Sequence, residues 1–377
     1  MFFELRRAGI ATLLACVLFA SACQGAQSTA QDPADGASDV APGTPGAAAQ
    51  AASVTLMLPF QKSLSFWSSM LAEELGYFEE ENLDVAIEPS GGGTEALQQV
   101  IAGNADMALV APAVILQSVA EGNDLVVPYT DKHGGLFSIV VPADSEVQRP
   151  EDLKGATVGI TDFAGGEVPM VRAILGRAGL TVDQDVTLVT VGEGNPATLQ
   201  ALENGRIDAY GASWSDFIPL MGLGMELREV TYPELSGIPS EVLVTTGDYF
   251  AENVDVVERV GRAMAKASYF ATQADDETLA LMRELAPEDH QDTDLARLAL
   301  GIWYDIADYP QDNGEYVFGQ HDPAAWEELE AVLAEHADLS TDVDVDGVLD
   351  DSLISAFNDF DHEAVTQQAE ELGLTYP

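Results

Sequence analysis

VAIEPSGGGTEALQQVIAGNADMALV, residues 85–110, and TLVTVGEGNPATLQALENGRIDAYGA, residues 187–212, are one architectural unit written twice, 102 positions apart. At that offset Gly92 aligns with Gly194, Leu97 with Leu199, Gln98 with Gln200, Gly103 with Gly205 and Asp106 with Asp208, without a gap. The same shift carries the apolar run 55–58 onto Thr157–Ile160. Each copy reads as strand, helix, strand, glycine-rich loop, helix, Gly-x-x-Asp turn, strand. In the first copy these fall at 54–58, 66–75, 85–88, 90–93, 94–102 and 107–110; in the second at 157–160, 167–178, 186–191, 192–195, 197–203 and 209–212. Short apolar strands alternating with amphipathic helices predict parallel α/β sheets. A duplicated unit predicts two lobes of the same build.

Ligands of open α/β sheets bind beyond the carboxyl ends of the strands. The repeat therefore pairs three loops per lobe: 59–63 with 161–165, 90–94 with 192–196, and 111–112 with 213–214. If the lobes face each other, all six loops line one cleft. The strand expected at 137–141 ends in Pro142, and 242–246 reads as a return strand, so two hinge crossings are expected near 142 and 240. The expected fold is a two-lobed α/β protein, each lobe a mostly parallel sheet flanked by helices. Residues 53–141 begin lobe 1, 142–241 form lobe 2, and 242–377 complete lobe 1 with C-terminal helices.

The N-terminus points to export. Arg6 and Arg7 precede an apolar run from Ala8 to Ala20, then Ser21, Ala22 and Cys23, the order of a secretory signal. The run is shorter than the roughly 20 residues a membrane span needs. Residues 1–22 are read as the signal and Cys23 as a lipidation site, in a segment that resembles a bacterial lipobox with Ala20 where Leu is usual. Cys16 leaves with the signal, so the mature chain has one Cys and no bridge or Cys-based metal site. Residues 23–52, almost free of large apolar side chains, read as a flexible tether to the membrane. About 325 residues remain, enough for two lobes with their own cores. The formal charge is −49, from 64 acids against 15 bases, which excludes a nucleic-acid footprint and favours a soluble monomer.

Further residues carry a family resemblance. The run Glu73-Glu74-Leu75-Gly76-Tyr77-Phe78 followed by Leu83-Asp84-Val85, the glycines Gly91–Gly93, the Gly103-x-x-Asp106 and Gly205-x-x-Asp208 turns, and Arg149-Pro-Glu-Asp-Leu-Lys-Gly155 resemble the nitrate/sulfonate/taurine-type substrate-binding proteins of ABC importers. That family includes binders of the thiamine pyrimidine precursor. The resemblance implies a periplasmic-binding fold, hinge closure on a small organic or anionic solute, and delivery to permease and ATPase subunits on the outer face of the cytoplasmic membrane. No cofactor is expected.

A cleft needs apolar area, oriented polar groups and exposed amides. Gly92, Gly93 and Thr94 in the first copy, and Gly166 and Glu167 in the second, offer amides at helix starts, which favour partial negative charge. Phe60, Phe66, Trp67, Phe163 and Trp214 gather near the same loops. Trp214 is the leading aromatic candidate because it follows a strand end. Phe66 and Trp67 are neighbours on one helix, so at most one of them faces the cleft. Gln61, Lys62, Pro112, Asp162 and Asn195 complete the expected lining. Lys62 and Lys132 are the nearest bases, and each reads more simply as a solvated surface lysine. Asp162, Glu167, Glu193 and Asp216 favour a neutral or cationic heteroaromatic solute, although a chain this acidic places carboxylates near any site.

Other motifs carry less. Asp342-x-Asp344-x-Asp346-Gly347 opens like a calcium loop, but Leu353 stands where a bidentate Glu is required, so an acidic capping turn is expected. The five histidines show no metal-ligand spacing, and no nucleophile elbow or Walker loop occurs. Two rival functions remain: a sensor that reports solute to a membrane receptor, and an enzyme like the thiamine-pyrimidine synthases. The enzyme is disfavoured because its Cys-rich motif is missing.

Overall fold

The computed structural model describes residues 51–163, 165–336, 339 and 343–377. The expected signal, Cys23 and nearly all of the expected tether lie outside the described residues, as do Ala164 and Asp342. Ala52, placed in the tether from sequence, instead opens the first strand, where its N–H donates to Asn82 O at 3.0 Å.

Ten strands build two five-stranded sheets. In the first lie β1 (Ala52–Leu58), β2 (Leu83–Pro89), β3 (Met107–Val110) and β4 (Leu125–Lys132). In the second lie β5 (Phe137–Pro142), β6 (Thr157–Ile160), β7 (Thr187–Thr190), β8 (Ala209–Ser213) and β9 (Leu227–Glu229); β10 (Glu241–Thr246) returns to the first. The spatial orders are β2-β1-β3-β10-β4 and β7-β6-β8-β5-β9. In each sheet only the fourth strand runs antiparallel to its neighbours, so the sheets are mixed. That fourth strand is in each case the one that has just crossed from the other lobe.

The strand at 137–141 therefore belongs to the second sheet, not to the first as the sequence suggested. Its apolar run would suit either sheet; its partners β8 and β9 decide. The first crossing is the short link between Lys132 and Phe137, earlier than the expected position near 142. It runs beside the return crossing: Gly135 N–H donates to Ser236 O at 2.7 Å, and Ser240 N–H donates to Lys132 O at 3.0 Å. Gly134 fits there because a Cβ would lie 2.9 Å from Ile306 O, and one on Gly135 would lie 3.1 Å from Leu235 O.

The repeat holds in the register. Leu56 pairs with Met107 and Val158 with Ala209, the second pair lying 102 positions after the first. The helices that follow the strands are α1 (Trp67–Glu74), α2 (Gly93–Ile101), α3 (Pro112–Ala120), α4 (Val168–Arg177), α5 (Pro196–Glu203) and α6 (Trp214–Gly222). α2 buries Ala96, Leu97 and Val100, the spacing of one helical face. α2 and α5 end at Gly103 (φ +70°) and Gly205 (φ +63°), the left-handed conformation that glycine adopts without penalty. The next turn is tied by an acid: Asp106 accepts from Thr55 N at 2.7 Å, and Asp208 from Thr157 N at 2.8 Å.

The rest of the chain forms α7 (Val254–Gln273), α8 (Asp275–Leu285), α9 (Thr293–Ala307), α10 (Pro323–His336) and α11 (His362–Leu372). α7, α8, α9 and α11 join the core of the first lobe, as expected for residues completing it. α10 does more. Its buried Trp326, Leu329, Val332 and Leu333 sit in one apolar cluster with Leu116 of α3 and Val171 of α4. This helix, assigned from sequence to the first lobe alone, spans both, because its apolar face is wide enough to meet a helix from each. Among the described residues no helix is long and apolar enough to cross a membrane.

Candidate solute-binding cleft

The carboxyl ends of β1, β2 and β3 and of β6, β7 and β8 carry the six loops singled out above. A small apolar pocket lies where the lobes meet, lined by Ala111 and Pro112 of the first lobe, Leu136, Phe137 and Pro239 at the crossings, and Met170 of the second. Trp214 N–H donates to Leu136 O at 3.1 Å. The half-buried indole packs against the first-lobe core and also against the second-lobe cluster around Tyr210 and Phe217. Trp214 therefore stands at the seam between lobes, with its ring edge-on to Phe217 at 5.5 Å.

The other expected lining residues divide. Phe60 and Phe163, 58% and 57% exposed, are the two exposed aromatics among the described residues, and they sit on matching loops after β1 and β6. Gln61 and Asp162 are exposed beside them. Gly92, Gly93 and Thr94 open α2, and Pro112 opens α3. Asn195 caps α5, its side-chain oxygen accepting from Ala197 N at 2.8 Å. Lys62 is tied to Glu73 at 3.1 Å.

Trp67 is elsewhere. It is fully buried in the first-lobe core, edge-on to Tyr304 at 5.6 Å, and Phe66 beside it is buried too. Trp67, expected among the lining residues, is instead part of the core, because α1 is packed on several sides. Lys132 is also misread from sequence. It is 1% exposed, lies over the Trp67 ring at 4.8 Å, and pairs with Asp131 at 2.5 Å and Glu241 at 2.6 Å. Burial opposes its charge, but the two carboxylates prevail and raise the ammonium above its ordinary value. Burial, countered by Lys132 and reinforced by Asp131, pushes the Glu241 carboxyl up to about 8. This triad pins the end of β4 to the start of β10, the two strands flanking the crossings.

Sequence reasoning also passed over how the loops use their own amides. Glu167 is 4% exposed, and its carboxylate accepts from Thr161 N at 2.9 Å and from the Thr161 hydroxyl. Asp216 accepts from Gly194 N at 3.1 Å, Ser213 N at 3.3 Å and Ser213 Oγ at 2.6 Å. Glu95 accepts from Gly91 N at 2.9 Å. Asp289, 225 residues away in sequence, accepts from Leu64 N at 2.5 Å. Glu95 was legible as an acid in the first turn of a helix; nothing near Leu64 in sequence signals Asp289. Burial and the negative charge of Asp216, Glu167 and Glu193 drive the Tyr210 phenol far above its ordinary value, and its hydroxyl donates to Gly192 O at 2.9 Å. Among the described residues no cluster of three or more metal-ligating side chains is present.

The family model described as "NMT1/THI5 like" matches residues 65–278. The chain belongs to the NMT1/THI5-like family. The chain is similar to the formylaminopyrimidine-binding protein of Halalkalibacterium halodurans, 28% identical over 336 residues, which are 87% of this chain and 93% of that protein. A putative thiamine biosynthesis protein of Haemophilus influenzae is 29% identical over 189 residues, half of this chain and 58% of that protein's length. The fold of this family member is similar to that of the periplasmic aliphatic sulphonate binding protein SsuA from Escherichia coli, with a TM-score of 0.61 at 15% identity over 78% of this chain and 96% of that one. The two-lobed periplasmic-binding fold expected from sequence is thereby shown.

Proposed function

We propose that the chain captures a small solute between its lobes and delivers it to the permease and ATPase of an ABC importer. The observation that carries this is Trp214: a strand-end aromatic set at the seam, touching both lobes and bonded to a crossing residue. A solute held there would contact both lobes at once and favour their closure. Phe60, Gln61, Lys62, Gly92, Gly93, Thr94, Pro112, Asp162, Phe163, Gly166, Glu167 and Asn195 complete the proposed lining, and the buried Trp67 acts only as support. Export and anchoring through Cys23, a monomeric state and the absence of catalysis belong to the same proposal. Similarity over most of its length to a formylaminopyrimidine-binding protein makes an aminopyrimidine the first solute to test.

The test is a thermal-shift screen with aminopyrimidines, sulfonates, nitrate, amines and carboxylates. A bound solute raises the midpoint by mass action. Trp214→Ala is expected to abolish that rise while the unliganded midpoint falls by a few degrees at most. A rise of unchanged size would remove Trp214 from the site.

A further inference from the structure

A solute captured between the lobes must pass between them, so the contacts that hold the lobes together decide how it enters. Two helices make such contacts away from the crossings. α10 carries the buried Trp326, Leu329, Val332 and Leu333 into one cluster with Leu116 of α3 and Val171 of α4. Its Glu328 also pairs with Arg177 of α4. The second contact joins α6 of the second lobe to α9 of the first.

α6 has two apolar faces. Phe217 and Leu220, three residues apart and fully buried, join Tyr210 in the second lobe's own cluster. Trp214, Ile218 and Gly222, spaced by four, share the other face. Ile218 is 7% exposed, yet the cluster that buries it is the first-lobe core. Trp214 and Leu295 of α9 pack against that same core. At the exposed end of this face the helices come so close that a Cβ on Gly222 would lie 2.4 Å from Leu295 Cδ2. Ile218 therefore owes its burial to the other lobe, and parting the lobes here returns it to water. Both contacts consist of the chain's own side chains, so they favour closure whether or not a solute is bound. They are unequal: α10 buries four large side chains, the α6–α9 seam one. The seam is the contact that gives first.

We infer that the α6–α9 seam is a latch, held by Ile218, that keeps the lobes closed in the solute-free chain and releases to admit solute. Burial of apolar surface drives the closed arrangement, and an open seam leaves Ile218 without a partner in its own lobe. Trp214 heads the same helix face, so the seam opens at the residue proposed to meet the solute. The role in solute entry rests on the capture reading; the closed resting state does not.

The experiment uses the full chain with Cys16→Ser and Cys23→Ser, and nitroxide labels on Glu226→Cys in the second lobe and Glu284→Cys in the first, both at exposed positions. Pulsed electron resonance reads the distance between the labels with no solute added. The parent chain is expected to give one short distance. Ile218→Asp puts a carboxylate into an apolar core when the lobes are closed and into water when they part. Its distance is expected to shift to a longer, broader distribution while the far-ultraviolet circular dichroism is unchanged. Gly301→Ala, on α9 with open space at its Cβ position, is expected to match the parent. A parent chain already at the longer distance, or an Ile218→Asp chain as short as the parent, would overturn the latch. Lengthening in Gly301→Ala as well would remove the assignment to this seam. Should Ile218→Asp not fold, Ile218→Ala and Leu295→Ala decide: a partial shift to longer distance supports the latch, and no shift in either sinks it. Because no solute is used, failure here leaves solute capture standing, and a solute screen without a hit leaves the latch standing.

Discussion

At the residue scale, equal letters in the two copies do unequal work. Gly92 and Gly194 align, yet Gly92 has φ +153° with open space at its Cβ position, whereas a Cβ on Gly194 would lie 1.8 Å from Asp216 O. One glycine answers a backbone angle and the other a close approach of α6. Asp106 and Asp208, in contrast, share one role, each accepting the N–H of a threonine 51 residues earlier. Asp106 is half-buried, and its carbonyl also accepts from Thr245 Oγ1 at 2.7 Å, which ties β3 to β10. Asp106→Ala is expected to cost about 1.5–3 kcal/mol in urea unfolding, the range for a hydrogen bond to a charged acceptor. Asp208→Ala should cost less, because water reaches its carboxylate. Equal losses would show that exposure does not set the difference.

At the element scale, the two crossings run side by side and are tied to each other. Lys132 and Glu241 lie at facing ends of β4 and β10, and Asp131 adds a second carboxylate, so the buried triad carries one negative charge in excess when both acids are ionised. The Glu241 carboxyl, at about 8 in the folded chain against an ordinary 4.5, keeps a proton that the unfolded chain has already released over that interval. The folded state therefore binds more protons there, and this contribution to stability is complete below pH about 4.5 and lost as the pH rises through about 8. Thermal midpoints taken from pH 5 to 9 should fall more steeply for the native chain than for Glu241→Gln. Parallel curves would mean that Glu241 does not titrate in this window.

At the scale of the whole molecule, 64 acids against 15 bases repel one another across every surface. Added salt screens exposed charges, the screening length shrinking to about 3 Å at 1 M. The thermal midpoint is expected to rise by about 5 °C or more between about 0.05 M and about 1 M NaCl. A flat response would mean that repulsion does not limit stability. The gapless offset of 102 determined the two lobes, the strand and helix order, and the loops at the strand ends, because periodicity and turn chemistry are local properties of the chain. It also placed Trp214, Phe60 and Phe163 on those loops. Which sheet takes the strand at Phe137, why Lys132 and Trp67 are buried, how α10 reaches both lobes, and that Asp289 caps Leu64 were decided only by the tertiary structure. Each depends on partners tens to hundreds of residues away, and an apolar run or a lysine looks the same in sequence whichever partners surround it.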